Sequence, residues 1–245
     1  VGQVPLIIVD GLNQNHSGWN ELTKLLRDTP VKILVTTRQE DWVRHGGENV
    51  GVNLNTIEIK LTMQEAKLIY TGISKNKRLH FSITTWEPAW ERIKDRGLMI
   101  EYIYLLTRGQ MIAERLTRQI SVLSSEEGNA AKLEILRLIS LADVLGIKIR
   151  TQRLTDYIQQ QIGFGGDRNE VYRQLEKEYY LKFDDAYVEG LHPIRSEHLV
   201  SILHSHIPVS DSLLALLSIV DENYVYDFFI NAPLIFESIR NNFFF

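Results

Sequence analysis

The chain has 245 residues, which suits one large domain or two to three small ones. Its content of 44% hydrophobic and 24% charged residues is typical of a globular protein and excludes an intrinsically disordered chain. The formal net charge of −4 gives no overall field that would attract nucleic acid or an anionic membrane.

Cysteine is absent, which excludes disulfides and thiolate zinc sites and favours a cytoplasmic location. No apolar run approaches the roughly 18 residues that a membrane span needs, so we expect no membrane partner. The chain begins at Val1 without a methionine and ends in the three phenylalanines 243–245. We therefore expect it to be an internal piece of a longer polypeptide.

Two short apolar runs, VPLIIV at 4–9 and VKILVT at 31–36, have the pattern of strands that are buried on both faces of a parallel sheet. Between them, Trp19–Leu26 has helical spacing and Pro30 marks the end of the helix. This order predicts a βαβ unit with parallel strands. The loosely alternating segment 49–60 is a candidate for one more strand.

The rest of the chain is predicted to be mostly helical. Thr62 and Glu65 have the spacing of a helix N-cap with a capping box, and an amphipathic stretch covers residues 98–123. The segments that follow predict a helix, a short strand, two helices and a hairpin, which is the order of a winged helix; their residues are 132–145, 147–149, 154–162, 169–178 and 180–191. From residue 210 the chain is predicted to begin a helical array.

The predicted fold class is therefore α/β, then mostly α. The predicted parts are the strand–helix–strand unit, a helical segment, a winged helix and the start of a helical array; their bounds are 1–60, 61–128, 129–207 and 208–245. Trp86 and Trp90 lie one helical turn apart and are predicted to anchor the core of the helical segment. His198, His204 and His206 have no convincing acidic partner for a metal site and are predicted to be core or surface residues.

Asp10 directly follows the first predicted strand. Ligands bind at the carboxyl ends of the strands in open parallel sheets, and in phosphate-loop NTPases an aspartate at this place holds Mg²⁺ through water. An ordinary turn at Asp10-Gly11 is the alternative interpretation.

Arg38 follows Thr36 and Thr37 at the end of the second strand, where a guanidinium can reach a γ-phosphate or a neighbouring acid. An arginine at this place taken alone is more often a surface residue. Together, LIIVDG and ILVTTR, with Asp41-Trp42 beyond them, resemble the paired strands of the STAND NTPases. That family comprises signalling relatives of the AAA+ machines, including NACHT and NB-ARC proteins and bacterial antiviral members.

The resemblance implies that residues 1–60 are the C-terminal half of a P-loop NTPase core and that residues 61–128 are its helical lid. It also implies ATP or ADP with Mg²⁺ as cofactors, a Mg²⁺ site at Asp10 and a catalytic role for Arg38. Asn13 and Gln14 stand where the family has acidic residues, one of which polarises the attacking water. An amide can orient a water molecule but cannot accept its proton as a carboxylate can. Whether ATP is hydrolysed or only bound is therefore left open by these two residues.

Two further elements resemble nucleotide contacts of the family. Gly97-Leu98 stands where other members contact the base, although no proline follows Gly97; a purely structural lid helix is the alternative. His192, in GLHPIR, resembles the histidine of the Met-His-Asp element that contacts the β-phosphate of ADP. Its neighbours Leu191 and Pro193 depart from that element, and a packed or solvated histidine is the alternative.

The phosphate-binding motif G-x-x-x-x-G-K-[ST] does not occur in the sequence. The resemblance places this loop upstream of Val1 in a longer protein. The present chain alone is therefore expected to be inactive as an ATPase.

The implied function is a nucleotide switch that ADP holds closed. A protein trigger, for example a phage protein, would be recognised by a C-terminal helical array. ATP binding would then drive self-association into an oligomer and activate an N-terminal effector domain in anti-phage defence. A winged-helix DNA-binding regulator of STAND type is the alternative, although Asn169–Glu178 mixes basic and acidic residues without a basic stripe. A purely structural helical scaffold is the third; Asp10 and Arg38 argue against it.

Overall fold

The computed structural model describes residues 4–12, 16–37, 42, 52–178 and 180–242. The described chain is mostly helical, with a two-stranded parallel sheet and a three-stranded antiparallel sheet. It divides into two compact units, Val1–Ile59 and Lys60–Phe245. None of the helices in the described ranges combines the length and apolarity that crossing a bilayer requires.

The first unit contains β1 (Leu6–Val9), α1 (His16–Leu26) and β2 (Lys32–Val35). The strands pair in parallel, with Leu6 opposite Lys32 and Val9 opposite Val35. The predicted strand–helix–strand order with parallel strands is thereby confirmed. The order follows from the two apolar runs and the amphipathic segment between them, whose apolar side chains pack together.

One face of this sheet is covered by α1. Val9, Ile33 and Val35 pack against the buried side chains of Leu12 and Trp19. The ring centroid of Trp42 lies 5.9 Å from that of Trp19 at a tilted angle. These aromatic and branched side chains form the small core of the unit.

The prediction that both faces of the strands are buried is wrong for the described chain. Leu6, Ile8 and Leu34 are 57%, 65% and 50% exposed. Successive strand residues point to opposite faces, and α1 covers one face only, while no described element covers the other. The predicted strand within 49–60 is also wrong over residues 53–60, which form no strand; residues 49–51 lie outside the described ranges.

The second unit begins with α2 (Met63–Lys75), α3 (Glu87–Ile93), α4 (Met99–Arg108) and α5 (Ile112–Ser125). The predicted capping box is confirmed: the Glu65 backbone N–H donates to Thr62 Oγ1 at 3.3 Å, and the Thr62 N–H donates to the Glu65 carboxylate at 2.9 Å. Trp90 is buried in the core of α2, α3 and α4, and the half-buried Trp86 packs against it. Both tryptophans are therefore core anchors, as predicted.

The amphipathic stretch 98–123 forms two helices, because Gly109 adopts a left-handed backbone (φ 71°) that ends α4. A Cβ atom at Gly109 would overlap the imidazole of His80. A left-handed conformation and a packed ring both require glycine here, so the helix ends although the apolar spacing continues.

Next come α6 (Ala130–Leu145), β3 (Ile149–Arg150), α7 (Thr151–Gln161), α8 (Arg168–Lys177), β4 (Leu181–Asp184) and β5 (Tyr187–Gly190). The strand β5 lies between β3 and β4 and is antiparallel to both. The turn of the β4–β5 hairpin contains Asp185 with a positive φ of 53°. The element order is the predicted one: helix, short strand, two helices and hairpin.

The last elements are α9 (Pro193–Leu203), α10 (Val209–Ile219), a 3₁₀ turn (Glu222–Tyr224) and α11 (Val225–Asn242). A single apolar core runs from α5 to α11 around α6. The Asn231 side chain donates to the carbonyl of Leu145 at 2.9 Å and so satisfies the C-terminal end of α6. The boundaries at 128 and 207 stay predictions, and the apolar core continues across both.

His204 joins α9 to α10 inside this core. Its Nδ1 lies 2.8 Å from the carbonyl of Val200 and its Nε2 lies 2.9 Å from Ser212 Oγ. Burial lowers the pKa of the imidazole, which favours the neutral ring. His204 is thus a core histidine and His206 is exposed, as predicted for both.

Candidate functional site at the carboxyl ends of the parallel strands

Thr36 joins the carboxyl ends of β1 and β2. Its hydroxyl donates to Asp10 Oδ1 and accepts from the Gly11 N–H at 3.2 Å. Its main chain donates to the carbonyl of Val9 at 3.0 Å and accepts from the Leu12 N–H at 3.2 Å. Four hydrogen bonds therefore hold Asp10 and the turn that follows it against the neighbouring strand.

The parallel register explains this arrangement. Val9 pairs with Val35, so the next residues, Asp10 and Thr36, leave the sheet side by side. Gly11 has a φ of 65°, a left-handed conformation that turns the chain away immediately after the aspartate. Asp10 and Thr36 both remain exposed.

The chemistry of this donor set fits Mg²⁺. The ion prefers hard oxygen ligands and is commonly held through one or two carboxylates, with water and phosphate oxygens completing its shell. Asp10 supplies one exposed carboxylate whose orientation is set by Thr36. Among the described residues no group of three His, Asp or Glu side chains could hold a metal ion. At Asp10 the remaining oxygen ligands of a Mg²⁺ ion would therefore have to come from water or phosphate.

Three of the predicted catalytic residues, Asn13, Gln14 and Arg38, lie outside the described residues. Their roles stay predictions. The structure brings Asp10 together with Thr36 instead, a pairing that the sequence motif contained without assigning it a role. Register was the missing information, since it decides which residues of the two strand ends are neighbours.

Gly97 and Leu98, predicted to contact the nucleotide base, lie at the turn between α3 and α4 in the second unit. Gly97 is buried with a φ of 62°, and its N–H donates to the carbonyl of Ile93 at 2.7 Å. Its carbonyl accepts from the Leu61 N–H at 2.9 Å, while Leu98 caps α4 and is half-buried. The left-handed backbone and the close approach of the Lys60 side chain favour glycine at position 97 whether or not a base binds, and the base contact stays a prediction.

His192, predicted to sense ADP, is the N-cap of α9. Its Nδ1 accepts from the Ile194 N–H at 3.2 Å, and Pro193 occupies the first turn of the helix. Because Nδ1 accepts a hydrogen bond from a backbone N–H, the proton of the neutral ring lies on Nε2. The imidazole therefore has a structural role, and its contact with a phosphate stays a prediction.

A buried carboxylate that sequence analysis missed connects α4 to α9. Glu101 is 1% exposed, and its Oε1 accepts from Arg96 at 2.8 Å and lies 3.0 Å from His198 Nε2. Glu197, beside His198, has a carboxylate oxygen 3.6 Å from the other terminal nitrogen of Arg96. The cluster joins the segment predicted as the lid to the segment predicted as the winged helix.

The hydrogen bond from His198 lowers the pKa of Glu101, with a further contribution from the charge of Arg96, and together they outweigh the opposing effect of burial. No sequence signal announced this cluster, because His198 lies 97 positions from Glu101. Only the packing of α4 with α9 brings them together.

Comparison with known proteins found no matching family model, no matching curated protein and no matching solved structure. The likeness to STAND NTPases therefore rests on the residues named above, and the function has to be argued from the geometry.

Replacing Thr36 by valine is expected to expose the Gly11 amide to exchange, because valine keeps the shape of threonine but has no hydroxyl to accept the hydrogen bond. Serine at the same position should retain protection. The measurement is amide hydrogen exchange at Gly11. In Thr36→Val the free energy of the local opening that exposes this amide should fall by about 0.5–1.5 kcal/mol. Equal protection in both variants would contradict the assigned role of Thr36.

Replacing Glu101 by glutamine is expected to lower the free energy of unfolding at pH 7 by about 1.5–3 kcal/mol, since the hydrogen bonds to a charged group are weakened. The folded-state pKa of Glu101 is depressed. Its contribution is therefore complete above the ordinary glutamate pKa of about 4.3 and is lost as the pH falls through the lowered value. The difference between wild type and variant should accordingly shrink in acid, as measured by urea unfolding.

Glu91→Gln is the matched control, because Glu91 pairs with Lys94 at 2.6 Å on an exposed surface. Such pairs contribute only about 0–1 kcal/mol. A Glu101→Gln variant no less stable than this control at pH 7, or a difference that persists unchanged in acid, would contradict the buried ion cluster.

Proposed function

We propose that this chain is the nucleotide-switch module of a STAND-type ATPase that binds ATP or ADP with Mg²⁺. The observation that carries the proposal is the exposed carboxylate of Asp10, held by Thr36 at the carboxyl ends of two adjacent parallel strands. This edge is where ligands bind in open parallel sheets. The strand–helix–strand unit followed by a mostly helical chain is compatible with the proposal.

In the proposed site Asp10 would hold Mg²⁺ through water, and Thr36 would keep the carboxylate oriented. A Mg²⁺ ion held there would neutralise negative charge on the phosphates of the nucleotide. Arg38 is proposed to contact the γ-phosphate, and Asn13 and Gln14 to orient a water molecule. Gly97 and Leu98 are proposed to lie beside the base.

The switch itself is proposed as a population shift between a closed form bound to ADP and an open form bound to ATP. His192 is the proposed contact to the β-phosphate of ADP in the closed form. Recognition of a protein trigger by a C-terminal helical array would permit ATP binding, self-association into an oligomer and activation of an N-terminal effector domain. The bacterial character of the motifs favours a role in anti-phage defence in the cytoplasm.

A winged-helix DNA-binding regulator of STAND type is the second candidate. The order of α6, β3, α7, α8 and the β4–β5 hairpin favours it, because this order is the one in which winged helices present a recognition helix. On α8, however, Arg173 is paired with Glu170 at 3.1 Å. The other basic residues of this segment, Arg168 and Lys177, are interspersed with Glu176 and Glu178. A helix with this mixture lacks the basic stripe that phosphate contacts require, so the nucleotide switch is the better supported function.

Asp10→Asn in the full-length protein is expected to abolish Mg²⁺-dependent nucleotide binding. Asparagine can still accept the hydrogen bond from Thr36, but it lacks the negative charge that holds the metal ion. Binding of ATP with and without Mg²⁺ is the measurement, and Asp28→Asn, an exposed aspartate of the same unit, is the control. Wild-type Mg²⁺-dependent binding in Asp10→Asn would show that Asp10 is only a turn residue.

Two substitutions separate the structural and sensing roles of His192. Asparagine is a good N-cap, so His192→Asn should keep the stability that His192→Ala loses, about 0.5–2 kcal/mol. If His192 also contacts ADP, both variants should raise basal effector activity without a trigger, by about 10–150-fold for one hydrogen bond to a phosphate. Effector activity and melting temperature are measured on the same preparations; a His192→Asn protein with wild-type basal activity would overturn the sensing role.

A further inference from the structure

A cavity of about 750 Å³ in the second unit is lined by arginines from three helices. Arg92 lies on α3, Arg108 at the end of α4 and Arg118 on α5. Their side chains are exposed and can therefore be reached from solvent. Glu114 is the one acidic residue of the lining.

The carboxylate of Glu114 is already engaged. One of its oxygens pairs with Arg92 at 2.5 Å, and the other accepts from the Met111 N–H at 2.8 Å, at the start of α5. Neither Arg108 nor Arg118 has a hydrogen-bond or ion-pair partner within the ranges that the structure describes. Two guanidinium charges at one cavity are thus left without compensation by this part of the chain.

The cavity wall between α4 and α5 is held in a defined shape. The His80 N–H donates to the carbonyl of Leu106 at 2.8 Å, and the imidazole packs directly on Gly109. Nδ1 of His80 accepts from the Ser82 N–H at 3.3 Å and lies 2.7 Å from its hydroxyl. The neutral ring therefore carries its proton on Nε2, so His80 adds a hydrogen-bond donor to the lining.

We propose that this cavity binds a small anion of the polyphosphate class. A guanidinium binds phosphate oxygens in a two-pronged geometry, and two uncompensated ones match a ligand with at least two negative charges. The volume exceeds what a single phosphate fills, which favours a chain of phosphates or a nucleotide carrying one. The site uses neither Asp10 nor Mg²⁺, so it goes beyond the function proposed above.

The test titrates the 245-residue chain with inorganic tripolyphosphate in EDTA, by calorimetry at low and at moderate salt. Removing both uncompensated charges, in the double variant Arg108→Gln with Arg118→Gln, is expected to weaken binding by at least about tenfold. The matched control is Arg168→Gln with Lys177→Gln, which removes two exposed cationic side chains of α8 outside the cavity and should bind as the wild type does. Circular dichroism of each variant checks that the fold is retained.

Titrations with two further ligands, ATP and a single-stranded oligonucleotide, identify what the cavity binds. If ATP in EDTA binds more tightly than tripolyphosphate, and the same double variant loses ATP binding, the site is assigned to a nucleotide. If tripolyphosphate binds more tightly than ATP, the site is assigned to inorganic polyphosphate. A single-stranded oligonucleotide that binds more tightly than either through the same arginines would overturn the small-anion assignment. Absence of tripolyphosphate binding, or equal weakening in the double variant and the control, would overturn the site itself.

The proposal stands apart from the nucleotide switch, because the cavity contains no residue of the first unit. Tripolyphosphate binding in EDTA that the double variant weakens supports the cavity whatever the Mg²⁺-dependent assay of Asp10 shows, and the two proposals can therefore fail separately.

Discussion

The buried carboxylate of Glu101 ties α4 to α9 in the second unit. A charge removed from water costs several kcal/mol unless hydrogen bonds and opposite charges compensate it. Arg96 and His198 provide that compensation, and His198 comes from α9 while Glu101 comes from α4. The two helices therefore have to keep their relative position as long as Glu101 is ionised.

This constraint bears on the proposed switch, because α9 also begins at His192. A displacement of α9 would change both the capped end at His192 and the ion cluster at His198, one and a half turns further along the helix. Rearrangement of this part of the molecule is thus coupled to the separation or neutralisation of a buried ion pair. A coupling of this kind can make two positions of α9 distinct states, because moving between them requires the ion pair to break.

The sequence predicted a good part of the fold. Apolar runs and helical spacing located β1, α1 and β2, and the Thr62–Glu65 spacing located the start of α2, because these signals are local and concern one element at a time. Burial of both faces of β1 and β2 was wrong, since burial depends on what covers a strand and not on its own composition. The division of residues 98–123 into α4 and α5 was missed because the spacing continues through Gly109, whose left-handed backbone ends the first helix.

For the candidate site, the sequence by itself determined that Asp10 ends an apolar strand and that a second such strand follows. The types and the order of these residues can be read from the sequence, and they indicate the chemistry without the structure. Only the tertiary structure decided that Thr36 holds Asp10, that Glu101 meets His198 and that Arg92, Arg108 and Arg118 share a cavity. Each of these depends on register or on helix packing, which bring together residues that no local pattern connects.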